Sequence, residues 1–163
     1  MQTPFISLLL LLAFSYPVNA VEEGQTAPAC PAQMQNQAGS LQPAAFAGKV
    51  VLIDFWATWC GPCQKSMPFF NQLRNEKLKD GFEIIAINVD EDKQAVSDFL
   101  KSHPVDYPIA FDPNGECPRS YEVKAMPSSY LLDKSGKVRH IHLGYRDSDQ
   151  AELREQIQAL LIE

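Results

Sequence analysis

Two long apolar runs dominate the hydropathy pattern. Residues 49–57 (KVVLIDFWA) are nearly continuous in apolar and β-branched side chains, as a strand covered on both faces must be. Residues 82–90 (FEIIAINVD) repeat the pattern and predict a second buried strand. Between them, Phe69, Phe70 and Leu73 supply one apolar face. They predict a helix from near Cys60 to about Lys79, with Pro68 inside to kink it. Residues 92–103 (DKQAVSDFLKSH) place Val96, Phe99 and Leu100 at helical spacing. YPIAFD then reads as a short strand and GECPRSYEV as a helical turn. SSYLLD and KVRHIHL are two strands joined by Lys134-Ser135-Gly136, a hairpin signal. The last helix spans 149–162. Asp149 with Glu152 makes a capping-box pattern, and Leu153, Ile157, Leu160 and Leu161 form its buried stripe.

The order is therefore βα, βα, β, a turn of helix, then ββα. Early strands separated by helices imply parallel pairing, and the late hairpin adds an antiparallel edge. This predicts an α/β protein with a central mixed sheet flanked by helices. Residues 21–48 are rich in Pro, Ala, Gln and Gly and read as an extended lead-in with one short hairpin. The chain contains neither an internal repeat nor a long low-complexity segment.

Composition and charge narrow the class. A chain of 163 residues with a net charge of -6 suits one domain, and without a basic cluster it offers nothing to hold nucleic acid. The N-terminus reads MQTPFISLLLLLAFSYPVNA. Its apolar run, 5–14, is short for a bilayer span. Val18-Asn19-Ala20 puts small residues at the spacing a signal peptidase needs, so 1–20 reads as a signal peptide cut after Ala20. No Lys or Arg precedes the apolar run, and the alternative is an uncleaved membrane anchor. A periplasmic or otherwise exported location follows, and there disulfides persist unless something reduces them.

Four cysteines are present. Cys60 and Cys63 bracket Gly61 and Pro62 at the predicted helix start. The free N–H groups and the positive end of the helix dipole favour a Cys60 thiolate. Cys63, nearly one turn on, can resolve a mixed disulfide. Pro62 falls in the first turn, where a missing N–H costs nothing. Zinc would need a second ligand pair, and there is no second CxxC. His140 and His142 alternate along a strand and share one face, which reads as a solvated strand face rather than a metal site. Asp54 interrupts an apolar strand, where a carboxylate is costly unless protonated or partnered.

VVLIDFWATWCGPC followed by AMPSSYLLDKSGKV resembles the thioredoxin superfamily, and within it the exported TlpA/ResA-like thiol–disulfide oxidoreductases. The resemblance covers about 24–163. It implies a thioredoxin fold over 49–163, an N-terminal extension over 21–48, and an insertion at roughly 91–122. By the resemblance, Cys60 is the attacking thiol and Cys63 the resolving thiol. Pro127 is a cis-proline facing them, and the Met126 backbone would pair with an extended substrate. Trp59 flanks the site, with Gly61 and Pro62 completing the contact surface, and Trp56 packs beneath. Asp54 exchanges a proton with the resolving thiol. Two positions depart from the pattern: Ser66 stands where relatives often carry glutamate, and Ala86 where thioredoxins carry a lysine. The acid–base role then falls on Asp54 alone.

The implied activity is reduction of disulfides in exported proteins, apocytochrome c among them, with electrons from a membrane thiol reductase of the DsbD or CcdA kind. No cofactor or metal is implied, and the chain is expected to be a monomer. Gly-Pro between the cysteines resembles reducing thioredoxins rather than oxidising DsbA-like proteins. Three alternatives stay open: an oxidase or isomerase of the same fold; a peroxidase, for which TWCGPC has the wrong spacing; and a Sco-like copper metallochaperone, which would carry CxxxC and a distal histidine. Cys30 and Cys117 remain as candidates for a structural bridge, contributing on the order of 3–4 kcal/mol.

Overall fold

The computed structural model describes residues 20–30, 34–36 and 39–163. The expected signal peptide, apart from Ala20, lies outside the described residues. Five strands form one sheet in the order β5-β4-β3-β6-β7. β3 (Val50–Trp56) is central, parallel to β4 (Phe82–Asn88) on one side and antiparallel to β6 (Ser128–Leu132) on the other. β5 (Ile109–Phe111) extends the parallel side, and β7 (Val138–Leu143) closes the antiparallel side. Every residue of β3, β4 and β6 is buried, as the largely apolar runs of β3 and β4 predict.

Alternation along β3 divides the core. Val50, Leu52 and Trp56 face a cluster built with Met67, Phe70 and Leu73 of α1 (Gly61–Lys77) and with Leu153, Ile157 and Leu160 of α4 (Gln150–Ile162). Val96 of α2 (Lys93–Ser102) joins this cluster. Val51, Ile53 and Phe55 face a second cluster with Cys117 and Tyr121, at α3 (Glu116–Ser120) and just after it. Arg74 on α1 grips Glu83 on β4 through two hydrogen bonds of 2.8 and 3.1 Å. This planar pairing supplies partners for a buried carboxylate and fixes the helix against the sheet.

The lead-in belongs to the second cluster. Val21, Cys30, Met34 and Leu41 are buried in it. The lead-in also pairs with the start of β7: Gly24 N–H donates to the Val138 carbonyl, and Val138 N–H to that of Gln25. β1 (Gln35–Asn36) and β2 (Gly39–Ser40) form the expected short hairpin.

α1 runs unbroken through Pro68 to Lys77, and a 3-10 turn (Leu78–Asp80) completes the predicted span. α2 starts at the Asp92 cap, whose carboxylate accepts the N–H groups of Gln94 and Ala95. The capping box expected between Asp149 and Glu152 does not form. The Asp149 carboxylate instead accepts the Arg146 N–H at 2.9 Å and closes the preceding 3-10 turn, while Glu152 accepts from Gln156. The histidine face of β7 also differs from expectation. His142 is half-buried, and its Nε2 lies 2.8 Å from Gln156 Oε1, so α4 covers this face.

Candidate redox site

β3 delivers the chain to the site. After Trp56 the backbone leaves the sheet, and the loop to Cys60 is held by one buried carboxylate. Asp90 accepts the Thr58 N–H at 2.8 Å, the Thr58 hydroxyl at 2.6 Å and the Asn88 side-chain amide at 2.7 Å. Gln64, from the first turn of α1, donates to the Thr58 carbonyl at 2.7 Å. Thr58, Asn88, Asp90 and Gln64 are positioning residues that the motif reading passed over. Their signal in the sequence was the pair of polar residues, Asn88 and Asp90, at the end of a buried apolar strand.

Cys60 is the N-cap of α1. Its sulfur accepts the Cys63 N–H at 3.3 Å, and Pro62 occupies the first turn. Such a contact favours negative charge on this sulfur. Cys60 and Cys63 are disulfide-bonded, with sulfurs 2.04 Å and Cα atoms 5.3 Å apart. Cys60 is 5% exposed and Cys63 fully buried, so attack from outside reaches Cys60 first. The Ser66 hydroxyl, at one of the two positions departing from the family pattern, donates to the Cys63 carbonyl at 2.9 Å.

Around the dithiol the surface is apolar. Trp59 is 68% exposed, and with Val89, Pro118, Val123 and Met126 it lines an open groove rimmed by Lys124. The Met126–Pro127 peptide bond is cis. Trp56, 1% exposed, packs beneath against Phe99.

Asp54 lies on β3 between Ile53 and Phe55, so it faces the α1 layer that holds Cys63. It is 2% exposed. Its neighbour on β4 is Ala86 and its neighbour on β6 is Ser129. The alanine supplies no cation. Ser129 Oγ donates to Asp54 Oδ1 at 2.7 Å, a partner not foreseen from sequence. Burial lifts the carboxyl from 3.8 to about 7, and the Ser129 hydrogen bond offsets part of that rise. Tyr107 is buried in the same layer, and its phenol is pushed up first by burial and second by the Asp54 charge.

Cys30 and Cys117 are also bonded, with Cα atoms 4.7 Å apart across 87 residues of sequence. They sit in the second cluster, on the opposite face of the sheet from Asp54. Among the described residues no cluster of three or more His, Cys, Asp or Glu side chains could hold a metal ion.

The Redoxin family matches residues 22–157. The chain belongs to that family. It is 42% identical over 107 residues to the thiol-disulfide oxidoreductase ResA of Bacillus thuringiensis subsp. konkukian, covering 66% of this chain and 62% of that protein. Against ResA of Geobacillus kaustophilus the identity is 33% over 156 residues, covering 90% and 88% of the two chains. Among solved structures, a candidate thiol:disulfide interchange protein DsbE from Chlorobium tepidum superposes with a TM-score of 0.80 at 40% identity, covering 87% of this chain and 99% of that one. The chain is thus a ResA-like Redoxin with the thioredoxin-like fold expected from its motifs.

Proposed function

We propose that this chain is a thiol–disulfide oxidoreductase that reduces disulfides in exported proteins. The observation that carries the reading is the cap geometry, with the Cys60 sulfur receiving the Cys63 N–H at the helix start. Cys60 attacks a substrate disulfide and forms a mixed disulfide; one substrate sulfur leaves as a thiolate. Cys63 then loses its proton to Asp54 and attacks the Cys60 sulfur. The Cys60–Cys63 bond forms, and the second substrate sulfur leaves with the electron pair. Trp59, Gly61, Pro62 and the Met126-Pro127 backbone hold the substrate segment in the groove, with Met126 pairing to it as a short β-bridge. Cys30–Cys117 acts as a structural bridge.

Gly-Pro between the cysteines and the likeness to ResA and DsbE proteins support the reducing direction. Oxidised exported thiol proteins, including apocytochrome c, are the proposed substrates. A membrane reductase of the DsbD or CcdA kind is the proposed electron donor, and 1–20 the export signal. Among the described residues no helix is long and apolar enough to cross a membrane.

The test is insulin reduction by the purified mature chain supplied with reductant, together with trapping of exported proteins on Cys60 in Cys63→Ser. Loss of insulin reduction in Cys60→Ser is expected; unchanged activity would refute the reading. A reduction potential in the oxidising range would reassign the direction to an oxidase or isomerase.

A further inference from the structure

A buried acid that takes a proton in every turnover must also lose it, and Asp54 is sealed under α1. The sheet register offers a way out. Ala86, Asp54, Ser129 and His142 are successive cross-strand neighbours on β4, β3, β6 and β7, so all four stand in one row on one face. The row ends at His142 on the open side of the sheet. Between its last two members is a small cavity lined by Ser129, His142, Tyr145 and Asp149, with Phe69, Phe70 and Leu153 as apolar walls. A water centre has about 20 Å³ there, just over the roughly 10–15 Å³ that one water requires. Its walls offer the two to four polar partners a water needs.

His142 is held in one tautomer. Gln156 Nε2 donates to Glu152 at 3.0 Å, which turns Gln156 Oε1 toward His142 Nε2 at 2.8 Å. Nε2 therefore carries the hydrogen, and Nδ1 keeps a lone pair free to accept one.

We propose that Ser129, a water in this cavity and His142 form a relay that carries the Asp54 proton to the sheet edge. In the outward step Asp54 gives its proton to Ser129 Oγ while the Ser129 hydroxyl gives its own to the water. The water passes a proton to His142 Nδ1, the imidazolium loses Nε2–H to solvent at the edge as its Gln156 contact opens, and exchange with solvent returns the imidazole to its Nε2–H form. Nothing is oxidised or reduced, and one proton leaves per resolving step. Besides Ser129, the titratable groups facing Asp54 are Cys63 from α1 and Tyr107 from the segment before β5. Those around His142 are Tyr145, Asp149 and, through Gln156, Glu152. The relay rests on the reading of Asp54 as the acceptor of the Cys63 proton.

The test uses the reduced full mature chain and a dithiobis(nitrobenzoate) probe in stopped flow. The first nitrobenzoate thiolate reports attack by Cys60, and the second reports resolution by Cys63. The first release is the internal reference. At pH 6, below the Asp54 value of about 7, His142→Ala and Ser129→Ala should each slow the second release by roughly tenfold. That is less than the ~100-fold or more associated with losing an acid–base group itself. Added imidazole should restore the rate of His142→Ala in proportion to its concentration, and the slowed step should slow further in heavy water. Rescue by a free base separates proton transfer from a packing defect. If Asp54→Asn slows the second release while both relay variants keep the wild-type rate, the relay is wrong and the Asp54 reading stands. If imidazole fails to rescue a slowed His142→Ala, the relay is equally wrong. If Asp54→Asn itself leaves the second release unchanged, the underlying acid–base reading falls and the relay falls with it.

Discussion

The two disulfides occupy opposite faces of one sheet and are surrounded in opposite ways. Cys60 caps a 17-residue helix, and its sulfur takes an N–H from the first turn. Cys117 has its own N–H turned to the buried Asp112 carboxylate at 2.8 Å, so the nearest charge on that side is negative. Cys60 adjoins Trp59, which lines an open groove, whereas Cys117 is fully buried behind Tyr121 and the lead-in. A leaving thiolate is stabilised in the first setting and penalised in the second. On the proposed function, the same bond is thus placed once to exchange and once to persist.

Activity should separate the pairs most sharply. Cys60→Ser should abolish insulin reduction, while the double variant Cys30→Ala, Cys117→Ala should keep turnover per folded molecule. Mild reductant should expose two thiols in the folded chain and four only after unfolding, as counted by alkylation and mass. Four thiols released together under native conditions would erase the contrast.

Stability should separate them in the reverse sense. The second bridge closes a loop of 87 residues against 3 for the first. In the chain-entropy model a closure of that length contributes roughly 4–5 kcal/mol, above the ~3–4 kcal/mol expected from the sequence. The Cys30→Ala, Cys117→Ala variant should therefore lose about that much in urea unfolding, and Cys60→Ser, Cys63→Ser far less. Equal losses would mean that the lead-in holds the second face without its bridge.

How far the contrast could be read in advance depends on sequence distance. β3 and the CxxC helix were legible because a doubly covered strand must be continuously apolar and a helix start prescribes its own residues, here Cys60 and Pro62. Asp54 was legible as an anomaly in that run. Its partner was not, because Ser129 lies 75 residues away and meets it only through the register of β3 with β6. The Asp149 cap misled because two adjacent turns compete for one carboxylate, and the earlier turn wins. The lead-in read from its Pro, Ala, Gln and Gly content only as an extended segment with a short hairpin, and nothing there marked Val21, Met34 and Leu41 as buried. Scattered single apolar residues carry no periodicity by which burial can be recognised.

Asp54 marks the difference between the faces in its pH dependence. Its carboxyl is raised from 3.8 to about 7 by burial, so between those values the folded state binds more protons than the unfolded state. The contribution of Asp54 to stability must then fall as pH rises from about 4 to about 7 and level off above, since slope follows the proton difference. Asp54→Asn removes that penalty. The variant should be more stable than the parent at pH 8 by on the order of 4 kcal/mol, with the gain vanishing toward pH 4. Denaturant titrations at the two pH values check this. A gain that is constant with pH would mean that the carboxyl is not titrating inside the fold.

The smallest effect concerns Asp112, the acidic counterpart of the Cys60 cap. Its carboxylate faces the Cys117 N–H, and its charge opposes formation of a second anion beside it. Asp112→Asn keeps an oxygen able to accept that N–H while removing the charge. The Cys117 thiol should then become a better leaving group, because a thiol of lower pKa leaves faster in exchange. Reduction of the second bridge by a small uncharged dithiol should accelerate roughly threefold for each unit by which that pKa falls. Reduction of Cys60–Cys63 should keep its rate, because Asp112 meets the residues that hold the Thr58–Asp90 loop through its backbone N–H, which donates to the Asn88 carbonyl and is retained in Asp112→Asn. Rates measured under native conditions, with melting temperatures matched, distinguish this from loosening of α3. An unchanged rate at the second bridge would mean that burial alone, and not the sign of the neighbouring charge, keeps it closed.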